Sequence, residues 1–137
     1  REDAFYDEFD IVIDRAVTYG GAIVTAEGHG DPQKYLDLKK ASAPLILLNK
    51  TRQSLRNLSY FRAAAVTNGV LDRAKSRGVL LDPNQFAIVG HGISQPNTSM
   101  CGNDPCRPKT EAEWRSNMLV VFQIIPFQAE ATEFKPE

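Results

Sequence analysis

The sequence predicts an α/β domain in which short β-strands alternate with helices. Apolar residues recur every three or four positions in two stretches, a spacing that is typical of helices with one buried face. Three further short runs are rich in β-branched residues, and two of them end in Gly-His-Gly, which is typical of strands that run into turns. A chain of 137 residues has the length of one domain.

The first elements are a helix and a strand. The apolar residues within 4–17 would all lie on one face of a helix, so we predict a helix there that ends at Gly20-Gly21. The β-branched run 22–27 predicts a buried strand that leads into the tight turn Gly28-His-Gly-Asp-Pro32. Residues 33–53 lack a clear period, and we expect a helical turn and an extended piece inserted between regular elements.

The second half repeats this alternation. The best-defined helix begins at Asn57 or Ser59 and stops at Gly78, and a strand follows at 85–90. A helical crossover between two neighbouring strands makes them parallel and right-handed. Three visible strands are few for a stable sheet, so we expect a first strand upstream of Arg1.

The C-terminal part holds a short helix, a strand and a tail. Thr110-Glu-Ala-Glu113 has the form of a capping box, which predicts a helix that carries Trp114. The run 118–125 predicts the last strand. We assign residues 1–126 to the domain and 127–137 to a loosely held, acidic tail.

Charge and hydropathy exclude several classes of protein. The chain has 16 basic and 17 acidic residues, a net charge of −1, and no dense basic tract, so nucleic acid is not an expected partner. The longest apolar runs, 45–48 and 118–122, are far shorter than the ~20 residues of a membrane-spanning helix.

Two cysteines, Cys101 and Cys106, lie close together in the sequence. A local disulfide that pins a loop is favoured over two free thiols, and it would indicate an oxidising compartment. A zinc site is the weaker interpretation, because the only other soft ligands are the distant His29 and His91.

The strongest candidate site combines Asp31 and Arg62. Ligands of open α/β sheets collect at the carboxyl ends of strands, where Asp31 follows the first strand and the long helix returns with Arg62. Arg62 also interrupts a stripe that is otherwise apolar: Leu58, Val66 and Val70. The pair suits an amino-acid head group, with the ammonium on Asp31 and the carboxylate bidentate on Arg62. The alternative is structural: Asp31 caps a turn and forms a salt bridge with Arg62.

Four segments resemble, in order, the signatures of the OmpA C-terminal-like peptidoglycan-binding family. They are Gly28-His-Gly-Asp31, Leu58-Ser-Tyr-Phe-Arg-Ala-Ala-Ala-Val66, Gly90-His-Gly-Ile-Ser-Gln-Pro96 and Asn117-Met-Leu-Val120. The resemblance covers roughly residues 4–125. It implies a small mixed sheet with helices on one face, built in the order βαβαβ(α)β, with the first strand absent from this chain or upstream of it.

The resemblance also implies a function. Members bind peptidoglycan non-covalently through the diaminopimelate of its stem peptide and so anchor an envelope protein or complex to the cell wall. The two anchors correspond to Asp31 and Arg62, and the neighbouring signature positions to His29, Gly30 and Asn57. The implied location is the periplasm, with a tether to the outer or inner membrane that is not part of this chain.

The chain departs from the family at several positions. Gly30 replaces the usual threonine, Asn57 substitutes for an asparagine expected at Leu55, and Met118-Leu119 replaces an arginine pair. The insertion 33–53 makes the connection between the anchors longer than usual.

The insertion supports an alternative function. The domain would then be a scaffold subunit of an envelope-spanning assembly, with weak or lost wall binding, and 33–53 would contact other envelope proteins. The apolar run Leu45–Leu48 favours this role. We expect a packed insertion that leaves part of this run available to a partner.

An enzyme is the third hypothesis. His29, Asp31 and His91 lie near one sheet edge and suggest a metal or acid–base site. Glycine-flanked histidines at strand ends commonly serve in turns, however, and neither Ser59 nor Ser94 has the context of a catalytic nucleophile. We therefore expect no catalytic activity, metal or cofactor.

Overall fold

The computed structural model describes residues 2–18, 22–96 and 99–125 and confirms the α/β class. In chain order the regular elements of these ranges are α1 (Glu2–Thr18), β1 (Ile23–His29), α2 (Gln33–Lys40), α3 (Leu45–Ser76), β2 (Phe86–Gly92), β3 (Met100–Cys101), β4 (Asp104–Pro105), α4 (Glu111–Ser116) and β5 (Val120–Ile125). A 3₁₀ turn at Pro83–Gln85 precedes β2. The predicted helix end at Gly20-Gly21 and the tail 127–137 lie outside the described residues.

Three strands form a mixed sheet in the order β2-β1-β5. β1 pairs in parallel with β2, as the predicted crossover requires, and antiparallel with β5. Both sides of the central strand are therefore hydrogen-bonded, and its carboxyl end carries the chain directly to Asp31.

The main core lies between the sheet and the helices α1 and α3. Its buried members are Val12, Ile13 and Ala16 of α1, Val24 of β1, Val70 and Ala74 of α3, and Leu81. The two helices are also tied by charge, since the guanidinium of Arg73 donates two hydrogen bonds to Asp10 at 3.0 and 3.1 Å. This face of the sheet is consequently closed along most of β1.

The long helix begins earlier than predicted. It starts at Leu45, about three turns before Asn57. No glycine or proline interrupts the chain between Pro44 and Gly69. The prediction of an extended piece within 33–53 is therefore wrong, because a short leucine-rich run fits a helix as well as a strand.

The insertion 33–53 forms a helical hairpin from α2 and the first turns of α3. A second buried cluster joins Tyr35 of α2, Leu48 of α3 and Ile93, which follows β2. The guanidinium of Arg52 lies 4.9 Å from the ring centroid of Tyr35. The insertion is thus packed on the domain through one side of each helix.

The disulfide between Cys101 and Cys106 is confirmed and closes the small hairpin β3–β4. Ion pairs fasten this hairpin to the insertion. Asp104 pairs with Lys39 and with Arg52, and Arg107 pairs with Asp37 at 2.7 Å. The insertion and the disulfide hairpin therefore hold each other in place.

We expect reduction of the disulfide to loosen residues 99–109 while leaving the domain folded. So short a loop contributes only about 2 kcal/mol in the chain-entropy model, and the ion pairs to α2 remain. Hydrogen exchange of the reduced protein should rise in 99–109 and stay unchanged in β1. Two titratable thiols in denatured protein purified without reductant would contradict the disulfide.

Candidate functional site

The loop after β1 holds the carboxylate of Asp31 in a fixed orientation. Its Oδ1 accepts the backbone N–H of Gln33 at 3.3 Å, at the start of α2. Its Oδ2 accepts the indole N–H of Trp114 at 2.9 Å. A carboxylate has about four acceptor positions, so two remain for a ligand.

Trp114 is a site residue that the sequence analysis missed in this role. The predicted capping box is present, since Thr110 Oγ1 accepts the backbone N–H of Glu113 at 3.1 Å. This cap starts α4 so that the indole reaches Asp31, while the side chain stays 37% exposed. Trp114 is also the single tryptophan of the chain, which makes it a spectroscopic reporter of this carboxylate.

The helix α3 crosses β1 at Gly28, next to the site. Ser59 is fully buried there, and its hydroxyl accepts the N–H of Gly92 at 2.9 Å and donates to the carbonyl of Arg56 at 2.8 Å. A Cβ atom on Gly28 would lie 2.0 Å from the carbonyl oxygen of Ser59. Helix and strand are therefore in direct backbone contact.

Asp31 and Arg62 flank this junction of β1 and α3 on opposite sides along the strand, because α3 runs back between the parallel strands β1 and β2. Asp31 lies three residues after Gly28, and Arg62 lies three residues after Ser59. The two side chains form no ion pair with each other, which removes the salt bridge from the structural alternative. The turn-capping part of that alternative is present in the bond from Gln33 to Asp31.

Arg62 is half-buried and has no hydrogen bond or ion pair among the described residues. The residues spaced by four on either side of Arg62 differ in burial. Val70 is buried and Val66 half-buried, but Leu58 is exposed. Arg62 therefore lies at the border of the buried face of α3, next to the buried Ala63 and close to solvent.

The other predicted site residues have different surroundings. The N–H of Gly30 donates to the carbonyl of Gly92 at 2.7 Å, which fixes the loop that carries Asp31. Asn57 is exposed and accepts a hydrogen bond from Gln53 at 2.9 Å. Five residues separate it from Arg62, so the two point about 140° apart around α3. The structure does not bring Asn57 to the junction.

His29 and His91 stack beside each other, with ring centroids 5.1 Å apart. Nδ1 of His29 is 2.6 Å from the carbonyl oxygen of Gln95, which assigns the ring proton to Nδ1. Nε2 of His91 is 2.8 Å from Oε1 of Glu27. Within the described ranges, no group of three His, Cys, Asp or Glu side chains is arranged to hold a metal ion.

These contacts shift two pKa values in the same direction. Burial lowers the pKa of His29 below its ordinary 6.5, against the opposing effect of the Gln95 carbonyl. The hydrogen bond with His91 lowers the pKa of Glu27 below its ordinary 4.5. Both groups bind fewer protons in the folded than in the unfolded chain, so acid destabilises the fold through each of them.

We expect the melting temperature to fall as the pH drops below 6.5, through His29, and to fall further below 4.5, through Glu27. Well above 6.5 both groups are deprotonated in the folded and the unfolded chain, so neither contributes a slope. His29→Asn keeps a donor for the Gln95 carbonyl but does not titrate, so its melting temperature should vary less with pH between 7 and the folded-state pKa of His29. Thermal melts across this range measure the difference, and identical slopes in the two proteins would contradict it.

A cleft of about 420 Å³ opens beside Asp31. Its lining residues are Asp31, Gln33, Lys34, Asp37 and Leu38. The volume falls within the usual range of small-ligand sites. Arg62 does not line this cleft, so a ligand held by both anchors would extend from the cleft towards α3.

No protein-family model, curated protein or solved structure matches this chain. The resemblance to the OmpA C-terminal-like family therefore stands on the four sequence segments alone. None of the helices in the described part of the chain is long and apolar enough to cross a membrane. The case for function consequently rests on the charged groups at the junction of β1 and α3.

Proposed function

We propose that this domain binds peptidoglycan through the diaminopimelate of the stem peptide. The distal end of diaminopimelate carries one ammonium and one carboxylate. In the proposal Asp31 accepts the ammonium, and Arg62 donates to the carboxylate. The observation that carries it is the presence of opposite charges on the two sides of the Gly28–Ser59 contact, with no ion pair between them.

The hydrogen bonds that Asp31 accepts within the fold support its role as the acceptor for the ligand ammonium. The donors from Gln33 and Trp114 hold both carboxylate oxygens in place before a ligand arrives. A preorganised acceptor loses less conformational freedom on binding than a free side chain would. The neighbouring cleft gives the aliphatic chain of the ligand a place to lie.

The lack of a partner for Arg62 among the described residues supports its role as the donor to the ligand carboxylate. Arg62 is half-buried as a residue, yet among the described residues nothing accepts the hydrogen bonds of its guanidinium. A planar carboxylate fits the two parallel N–H groups of arginine, and such bidentate pairs are stronger than neutral hydrogen bonds. A ligand carboxylate would therefore satisfy donors that the fold leaves open.

The placement of the four family-like segments agrees with this function. Gly28–Asp31 ends β1, 58–66 lies in α3, 90–96 ends β2, and 117–120 leads into β5. All four therefore reach the same end of the sheet. We also propose a periplasmic location, for which the Cys101–Cys106 disulfide is the supporting feature.

Co-sedimentation with purified sacculi tests the proposal. We expect the domain to pellet with diaminopimelate-containing sacculi and to release no soluble muropeptides, because the assigned groups bind a zwitterion and carry out no bond cleavage. Release of fragments by the pure domain would contradict a binding function. A domain that stays in the supernatant would favour the scaffold alternative, in which 33–53 makes the functional contact.

A further inference from the structure

The turn between α2 and α3 projects apolar side chains into solvent. We call residues 39–50 the hairpin tip. Leu45 and Ile46 are 71% and 69% exposed, and Leu47 is also exposed. Leu48, the fourth member of the run, is buried in the cluster with Tyr35. The helix is thus anchored by one residue per turn while three adjacent aliphatic side chains stay outside.

Backbone hydrogen bonds fix the turn of the hairpin tip. α2 ends in a Schellman motif, in which the N–H of Ala43 donates to Leu38 and that of Ser42 to Lys39. Ser42 takes the left-handed conformation that this motif requires, with φ of 58°. The carbonyl of Pro44 accepts the N–H groups of Leu47 and Leu48. The N–H groups of Leu45 and Ile46, in the first turn of α3, have no partner among the described residues, which suits the boundary with the headgroups, where water and phosphate can accept them.

The chain segment that contains the tip carries only basic charges, two of which, Lys39 and Arg52, are paired with Asp104. From 38 to 71 the chain has six basic residues and no acidic one. Since the whole chain carries −1, the remainder carries −7. Lys40 and Lys50 flank the exposed aliphatic run, are themselves exposed, and have no ion pair within the described part of the chain. An anionic surface therefore complements this end of the molecule.

We propose that the hairpin tip binds the surface of a bilayer that contains anionic lipid. Leu45, Ile46 and Leu47 would enter the boundary between headgroups and acyl chains, and the lysines would contact lipid phosphates. Exposed aliphatic side chains beside lysines are the usual composition of segments that lie in this interface. A soluble anionic polymer would use the lysines but would leave the three aliphatic side chains in water.

This surface is separate from the junction that holds Asp31 and Arg62. Leu45 lies 17 residues before Arg62 on one helix, which is about 25 Å along its axis. The cleft beside Asp31 extends along α2 to Leu38 and so borders the tip, but the two surfaces use different residues. The inference does not depend on the proposed wall binding, and each can be tested without the other.

Co-sedimentation of the whole chain with vesicles tests the inference. We expect binding to vesicles made of equal parts phosphatidylcholine and phosphatidylglycerol, and little binding to phosphatidylcholine alone. The double variant Leu45→Gln/Ile46→Gln keeps good helix formers and should lower the partition coefficient at least about tenfold. Lys40→Gln/Lys50→Gln should lower it by a similar factor, because each lysine near an anionic surface contributes about 1 kcal/mol.

Leu80→Gln is the matched control, since Leu80 is 98% exposed but lies far from the tip in sequence, after α3. It should bind vesicles like the wild type, and circular dichroism should show that all variants are folded. No binding of the wild type to anionic vesicles would overturn the proposal and favour a protein partner. Binding that survives Leu45→Gln/Ile46→Gln would also overturn it, since lysines alone then account for attraction to any polyanion.

Discussion

Replacing Arg62 with glutamine or Asp31 with asparagine should each weaken binding to sacculi at least about thirtyfold while leaving the fold intact. Removing one member of a desolvated charge pair usually costs about 2–5 kcal/mol, much of it from the charge that stays unpaired. Stability should hardly change, because Arg62 has no partner among the described residues, and asparagine can keep the indole N–H of Trp114 while losing only the long, exposed bond from Gln33. Binding isotherms and thermal melts of the same variants measure both effects.

Arg56→Gln is the matched control for Arg62. Arg56 lies on the same helix, is exposed, and has no ion pair within the described ranges. It should bind sacculi like the wild type if the position of the charge matters. Equal losses in Arg56→Gln and Arg62→Gln would indicate general attraction to the wall. Lost stability with unchanged binding would return Asp31 and Arg62 to a structural role.

Gly28→Ala should destabilise the domain by about 3 kcal/mol or more, the largest effect on stability that we expect from a single methyl group. The added carbon would lie 2.0 Å from the carbonyl oxygen of Ser59 and 2.8 Å from its carbonyl carbon. These are backbone atoms on the buried face of a long helix, so no side-chain rotation relieves the clash. The helix must move away from β1, which opens the core that Val24 and Val70 share.

Gly30→Ala controls for the loss of a glycine as such. A Cβ there would be 3.4 Å from the nearest atom, the carbonyl oxygen of Gly92, which is an ordinary contact. We expect it to change the free energy of unfolding by less than about 1 kcal/mol. Denaturant melts compare the two variants. A Gly28→Ala protein as stable as Gly30→Ala would show that α3 does not press on β1 at this point.

The alternation of helices and strands was predictable because apolar residues in the core elements recur at the spacing of a helix or a strand. α1, β1, β2, α4 and β5 all lie within a few residues of their predicted positions. The insertion was not predictable in the same way. Its helices bury only scattered residues such as Tyr35 and Leu48, so no clear period marks them. The ion pairs that join it to the disulfide hairpin connect residues far apart in the sequence.

The candidate site was predictable in its charged groups but not in its supports. Asp31 was identifiable because it follows the end of a strand. Arg62 was identifiable because it interrupts an apolar stripe on a helix face. The indole of Trp114 reaches Asp31 across 83 positions, and no spacing rule encodes such a contact. Gly28 was interpreted as part of a turn. In the structure, its lack of a side chain lets the backbone of α3 lie directly against β1. A glycine inside a strand can indicate such a close approach.

Titration with two synthetic stem peptides, one ending in diaminopimelate and one in lysine, tests the assignment of Asp31 and Arg62 most directly. Lysine lacks only the distal carboxylate, and the fluorescence of Trp114 reports on the ligand at Asp31. We expect the diaminopimelate peptide to bind the wild type at least about tenfold more tightly than the lysine peptide, and Arg62→Gln to remove this preference. Equal affinities in the wild type, or a preference that survives Arg62→Gln, would contradict the account.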